Sequence, residues 1–270
     1  MKTLLVDNGS LEPAATYALR ELANSLTTRV GVRIEPVSLL HSHKVAPESL
    51  GGVPARIVES YLREELAAGE TEFVILPLFF GPSRAITDYL PGLIEKLRVD
   101  CPVLTVKIAS TLYRETDRRF ASMLADRVRG LLAEMTTTDH PVRVALVDHG
   151  SPIMEVTAVR NALAEQLAAE LGDEVELVAP CSMERRSGTE YDFNEPLLES
   201  LLSREEWNSG TVIVAQLFLV PGRHAGPEGD IARICERCES SSPQLRIVRT
   251  PVLGSHLGLI DILVDRLDQL

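Results

Sequence analysis

One strand-and-turn word occurs twice in this chain, and that repeat limits what the chain can fold into more than any other feature. LLVDNGS at 4–10 returns as ALVDHGS at 145–151, with five of seven positions identical at an offset of 141 residues. A second pair follows in register. VILPLFFGPSRA at 74–85 matches IVAQLFLVPGRH at 213–224, pairing Phe79 with Phe218, Pro82 with Pro221 and Arg84 with Arg223. The offset there is 139, so the halves differ by small insertions. EPVSLLH at 35–41 and APCSMER at 179–185 form a weaker match. Two copies are too few for a solenoid. They suit two similar domains, and 270 residues allow each to bury a core of its own. The expected boundary is MTTTDHP at 135–141, which has connector residues and no apolar period, giving domains at 1–138 and 139–270.

Each half alternates short apolar or β-branched runs with amphipathic stretches. Strands are expected at 2–6, 34–37, 73–77 and 103–108, and again at 142–147, 175–178, 212–219 and 245–250. Helices are expected at 14–26, 55–67 and 85–97, then at 157–171, 195–202 and 257–267. Strands alternating with helices give parallel sheets covered on both faces, so the expected fold is α/β with two tandem doubly wound domains. In such sheets ligands bind at the carboxyl ends of the strands. Both repeated words fall there. Gly150 suits the turn, and Ser151 is an N-cap or the residue just outside one. The two histidines His149 and His224 share this rim in the second half, where the first half has Asn8 and Ala85. Imidazole both titrates near neutrality and binds first-row metals, so two on one rim point to metal or proton chemistry. His41 is a pocket candidate, whereas His43, His140 and His256 are background.

A duplicated α/β unit with an HGS turn after its first strand and an LFL-x-x-G-x-H turn after its third resembles the CbiX/SirB group of class II tetrapyrrole chelatases. The matching words are VDHGS at 147–151 and QLFLVPGRH at 216–224, with Asp230 and Ile231 similar to the acidic-apolar step after that group's second histidine. The resemblance implies insertion of Co²⁺ or Fe²⁺ into sirohydrochlorin or a related tetrapyrrole, in the formation of cobalamin or siroheme. It further implies that His149 and His224 bind the metal and take the pyrrole protons across a cleft between the halves. Glu228 or Asp230 is the expected acidic partner, with Glu228 placed among the metal ligands. In long CbiX chains the imidazoles stand in the first half, so Asn8 and Ala85 imply that the first half here has lost that chemistry. The alternative reading is a carrier of tetrapyrrole or metal that does not turn over.

Charge and composition add constraints. Lys and Arg number 27 against 39 Asp and Glu, a net charge of −12 that argues against nucleic acid, whose phosphates need a basic face. An anionic tetrapyrrole therefore needs local guanidinium groups, and Arg84, Arg185, Arg186 and Arg223 stand at strand ends. Ser151, Arg84, Arg185, Arg223, Tyr191 and His41 make up the expected substrate-binding set. Tyr191, Asp192 and Asn194 lie in a long loop at 181–199 that is a candidate pocket wall. The sequence has no GxxxxGK(S/T) loop and no GxGxxG after a strand, so the metal is expected as substrate with no nucleotide cofactor. The opening apolar run is too short for a signal peptide and no run reaches the roughly 20 residues of a membrane span, so the expected address is the cytoplasm. Cys235 and Cys238 form a CxxC that reads as one face of an amphipathic helix rather than a cluster site.

Overall fold

The computed structural model describes residues 1–135 and 142–270; the connector at 136–141, with His140, lies outside the described residues. Two separate four-stranded sheets are present, and every pairing in them is parallel. The first has the order β2-β1-β3-β4, made of β1 (Lys2–Asp7), β2 (Ile34–Ser38), β3 (Glu72–Pro77) and β4 (Thr105–Ile108). The second repeats it as β6-β5-β7-β8, with β5 (Val142–Asp148), β6 (Leu177–Ser182), β7 (Gly210–Gln216) and β8 (Leu245–Arg249). Leu4, Leu5 and Val6 of β1, like Val144, Ala145, Leu146 and Val147 of β5, are fully buried. Such unbroken apolar runs mark strands with helices on both faces.

The helices in chain order are α1 (Pro13–Val30), α2 (Val58–Ala67), α3 (Leu90–Asp100), α4 (Arg119–Glu134), α5 (Met154–Leu171), α6 (Leu198–Leu202), α7 (Asp230–Ser241) and α8 (Gly258–Leu267). Proline in the first turn of α1 needs no amide partner, and Gly31 at φ 73° closes the helix in the left-handed conformation. The stretch expected as one helix at 85–97 is instead a π-helical turn, Ala85–Tyr89, running into α3. The helix expected at 195–202 shortens to α6, because Glu195 and Leu197 are extended and Leu197 bridges to Ser182 beside the sheet. Cys235 and Cys238 are buried on α7, and burial pushes the Cys235 thiol up to about 12 and the Cys238 thiol in the same direction. Protonated, packed thiols are poor ligands, as the helical spacing implies.

The compact units are not the segments 1–138 and 139–270. One comprises Met1–Arg114 with Leu257–Leu270, the other Glu115–His256. The chain leaves the first sheet after β4, and α4, absent from the expected helices, packs on α5 and β7 of the second unit. After β8 it returns, and α8 packs on α1 and β3 of the first. Leu259, Ile262 and Leu263 of α8 are fully buried there, each contributing about 2 kcal/mol by apolar burial. The buried Arg266 guanidinium donates to the carbonyls of Thr111 and Leu112, at 3.2 and 2.6 Å. The helix expected at 257–267 thus exists but belongs to the other unit. Amphipathic pattern specifies a face to bury, not which sheet buries it.

The repeat places its two turns at equivalent points. Asp7 pairs with Ser38 in register, as Asp148 does with Ser182. Leu39 and Leu40 amides donate to the carbonyls of Asp7 and Asn8, while Met183 and Glu184 amides donate to those of Asp148 and His149. Gly9 at φ 88° and Gly150 at φ 91° follow, and a Cβ on either would lie under 2 Å from the carbonyl oxygen of Leu40 or Glu184. Glycine is required at both. The carboxyls differ in their surroundings. Burial pushes both up, but Asp148 has the Ser182 hydroxyl, the Arg160 guanidinium and the Gly150 amide pulling it back. Asp7 lacks a guanidinium; despite Ser38 and the Gly9 amide nearby, burial pushes it up to about 6 from an ordinary 3.8.

Two outcomes follow from this architecture. Arg266→Ala removes the donor from the buried Leu112 carbonyl and the partly buried Thr111 carbonyl and should lower stability by about 3 kcal/mol in urea denaturation; an unchanged midpoint would mean that α8 does not hold the first unit. For Asp7, the folded state holds its proton more tightly than the unfolded chain. Its contribution to stability is therefore full below about pH 4, falls between about 4 and 6, and is lost above, a change of about 3 kcal/mol. Asp7→Asn should remove that component, so the stability difference between variant and parent shifts in the variant's favour between pH 4 and 7. A difference independent of pH would contradict the buried carboxyl.

Candidate functional site

His149 and His224 come together on the second unit, with ring centroids 4.6 Å apart and planes at 66°. His149 follows β5 directly, and its backbone is fixed by the Glu184 amide on its own carbonyl and by the glycine turn after it. Beneath it lies a buried polar network. Asp148 accepts from the Ser182 hydroxyl at 2.6 Å and the Gly150 amide at 3.1 Å. The Arg160 guanidinium, 1% exposed, donates to Ser182 Oγ and the Asn194 carbonyl and stands 3.7 Å from Asp148. Asn194 in turn accepts from the Ser151 amide at 2.9 Å and donates to the Ser151 and Tyr191 carbonyls. A buried charge with all its neighbours paired is costly to disturb, so the turn carrying His149 is held from below.

His224 is placed by the start of α7. The amides of Asp230 and Ile231 donate to the carbonyls of Arg223 and His224, at 3.2 and 3.1 Å. Gly229 must be glycine here, since a Cβ would meet the carbonyl oxygens of His224 and Arg223 at 2.5 and 2.7 Å. His224 Nδ1 donates to Asp230 Oδ2 at 2.7 Å, which leaves the Nε2 lone pair free. His149 Nδ1 meets the Gly150 carbonyl at 2.9 Å, and its Nε2 faces Glu184 Oε1 at 3.4 Å. Hydrogen bonding at Nδ1 that fixes the tautomer and orientation is the usual preparation of an imidazole for metal or proton. His149 is 47% exposed and His224 31%, so both are open to an incoming ligand.

The acidic partner of His224 is Asp230 rather than Glu228, which is exposed and makes no described contact with either imidazole. Six residues separate His224 from Asp230, but the turn folds back onto the first amides of α7, and that brings them together. Among the described residues no set of three His, Cys, Asp or Glu side chains is grouped to hold a metal. Arg223, 76% exposed, stands beside the histidines at 3.5 Å from Asp230. Arg185, expected on the substrate side, closes its own loop through Glu195 at 2.7 Å, Asp192 at 3.2 Å and the Gly188 carbonyl at 3.0 Å. Arg186 lies 5.9 Å over the Tyr191 ring. The Ser151 hydroxyl accepts from the Ile153 amide, and Ile153 rather than Ser151 is the N-cap of α5.

In the first unit the matching turns are differently equipped. Asn8 is exposed after β1, and Ala85 packs against the first core at the head of its π-helical turn. Arg84 is exposed just before that turn, and His41 follows β2 with φ 65°, the only non-glycine positive φ among the described residues. Sequence reading passed over Arg160 and Glu184. Arg160 did carry a signal, since it shares the buried face of α5 with Thr157, Leu163, Ala164 and Leu167, where an apolar residue is the norm. Glu184 carried none.

The CbiX family model matches residues 143–270. No curated protein sequence matches the chain. Among solved structures, SirB from Bacillus subtilis with Fe³⁺ superposes with TM-score 0.72 at 16% identity, covering 100% of this chain and 95% of that one. The sirohydrochlorin chelatase SirB from Bacillus subtilis subspecies spizizenii in complex with cobalt gives 0.68 at 15%, with coverage of 100% and 95%. CbiX, the terminal enzyme for biosynthesis of siroheme in denitrifying bacteria, gives 0.61 at 14%, with coverage of 100% and 99%. The second half of the chain, residues 143–270, is thus similar to the CbiX family, and the chain has the α/β fold of SirB and CbiX throughout.

Proposed function

We propose that the protein inserts a divalent metal, Co²⁺ or Fe²⁺, into sirohydrochlorin or a related anionic tetrapyrrole, without a nucleotide, in the formation of siroheme or cobalamin. The observation that carries this reading is the pair of imidazoles at 4.6 Å, with Nδ1 of His224 fixed by Asp230. Insertion exchanges two pyrrole protons for one metal ion. The Nε2 atoms of His149 and His224 serve both needs, holding the incoming ion through few bonds and accepting protons as it leaves. A site with only two protein nitrogens releases its ion more readily than a closed set of four. Asp230 steadies His224 as the imidazole gains charge. Arg223, with Arg186 and Tyr191 on the loop beyond β6, is the proposed contact for the macrocycle's carboxylates, and Glu228 a peripheral acidic residue drawing the ion in. The chain's net −12 makes such local guanidinium groups necessary.

Spectrophotometric metallation of sirohydrochlorin with Co²⁺ or Fe²⁺ tests the reading. His149→Ala and His224→Ala should each lower the rate by 100-fold or more, while the unfolding free energy from urea denaturation changes by under about 0.5 kcal/mol, since rim side chains add little to the core. Asp230→Asn should lose about 10- to 100-fold. Arg223→Ala should raise KM with kcat nearly unchanged, as loss of uniform binding does. Spectral change limited to one equivalent of protein would instead identify a carrier, and full activity in both histidine variants would remove the site altogether.

A further inference from the structure

A loop and a turn of the second unit meet on one buried amide. Asn194 is fully buried, and both the oxygen and the nitrogen of its side chain are used twice. Oδ1 accepts from the Ser151 amide at 2.9 Å and from Thr157 Oγ1 at 3.2 Å, while Nδ2 donates to the carbonyls of Ser151 and Tyr191 at 2.9 and 3.0 Å. A single side chain thus spans from Tyr191 in the loop to the residue two places after His149. Arg160 fastens it from beneath, donating to the Asn194 carbonyl at 3.0 Å and to Ser182 Oγ, and stands 3.7 Å from Asp148, the residue just before His149.

The two pieces joined here are each closed on themselves. In the loop, Arg185 holds Glu195, Asp192 and the Gly188 carbonyl, and the Tyr191 amide donates to that same carbonyl at 3.2 Å. In the turn, Asp148 accepts from the Gly150 amide and Ser151 Oγ from the Ile153 amide. A shift at Tyr191 is therefore passed to Asn194, and through it to the backbone of Ser151. The first unit lacks this connection. Thr157 and Arg160 are the fourth and seventh residues of α5, as Thr16 and Leu19 are of α1. Ser182 and Ser38 end the neighbouring strands and bridge to Leu197 and Ile57, so Asn194, three residues before the bridge, corresponds to the exposed Pro54. The Thr16 hydroxyl, whose counterpart bonds Asn194, is buried without a partner. The copy that keeps the imidazole keeps both buried groups, and the copy with Asn8 has neither.

We propose, resting on the metallation chemistry proposed for this rim, that Asn194 and Arg160 are positioning residues that couple the loop carrying Arg186 and Tyr191 to the turn carrying His149. Contact of the macrocycle with the loop then fixes the place of the imidazole. Neither residue touches the reacting atoms. A buried network with its members paired transmits a displacement because any local adjustment leaves a polar group unmatched, and partners behind a metal-binding imidazole set its orientation.

Hydrogen exchange of the full chain, read over residues 148–153, tests this together with calorimetric titration of Co²⁺ alone and steady-state metallation. Metal-free sirohydrochlorin should slow exchange of that segment in the parent chain. Asn194→Ala should speed its exchange without ligand, remove the protection given by sirohydrochlorin, and lower both kcat and the affinity for Co²⁺ by about tenfold or more. Arg160→Lys, which keeps the buried charge, should retain more of each than Arg160→Met. Circular dichroism checks that each variant folds; if Asn194→Ala does not, Asn194→Asp, of the same size but without the two donors, carries the comparison with Arg160→Lys. Should the parent chain fail to metallate sirohydrochlorin, the proposed function falls, while exchange without macrocycle and the Co²⁺ titration still decide whether Asn194 positions the turn. Unchanged exchange and Co²⁺ affinity in the folded variants, or protection by sirohydrochlorin that survives the substitution, would overturn the proposal.

Discussion

A parallel sheet has two apolar faces, and neither can be left to water. Most of this architecture follows from that constraint. It forces a helix between successive strands, it makes the central strands continuous apolar runs, and it sends every connection back over the sheet so that all strands end on one rim. The rim is where backbone direction changes and polar side chains can gather, which is why both repeated words fall there. The same constraint accounts for the exchange of helices. α4 and α8 each pack on the sheet of the unit they were not expected to join. The two units are consequently joined by the chain at two points rather than one, at 114–115 and 256–257.

Below the rim, the two copies have diverged at one buried position with wide consequences. Where α5 has Arg160, α1 has Leu19, yet the acidic residue at the end of the central strand remains in both, as Asp148 and Asp7. In the second unit the guanidinium ties the strand end, the neighbouring strand and the loop to Asn194 into one network, and that network holds the turn carrying His149. In the first unit the carboxyl persists without its cation, burial holds it up at about 6, and the rim residue above it is Asn8. Loss of the imidazole and loss of the supporting guanidinium thus occur in the same copy. A buried carboxyl kept without a counter-charge is a stability cost.

Much of this was legible in the residues. Alternating strands and helices, the duplication, the glycine after each rim acid, and the placing of His149 and His224 on one rim all come from local pattern, because strand and helix periods and turn chemistry are properties of short stretches. The choice of Asp230 over Glu228, the closing of Arg185 onto its own loop, the burial of Arg160 and the docking of α8 on the first sheet are not local. Each depends on which surfaces meet across tens or hundreds of residues, and an apolar stripe or a charged side chain accepts several partners equally well until the backbone is in place. The sequence therefore determined what kinds of element form and which side chains reach the rim, while only the tertiary structure decided which helix covers which sheet and which charges pair, since those depend on distances no local pattern encodes.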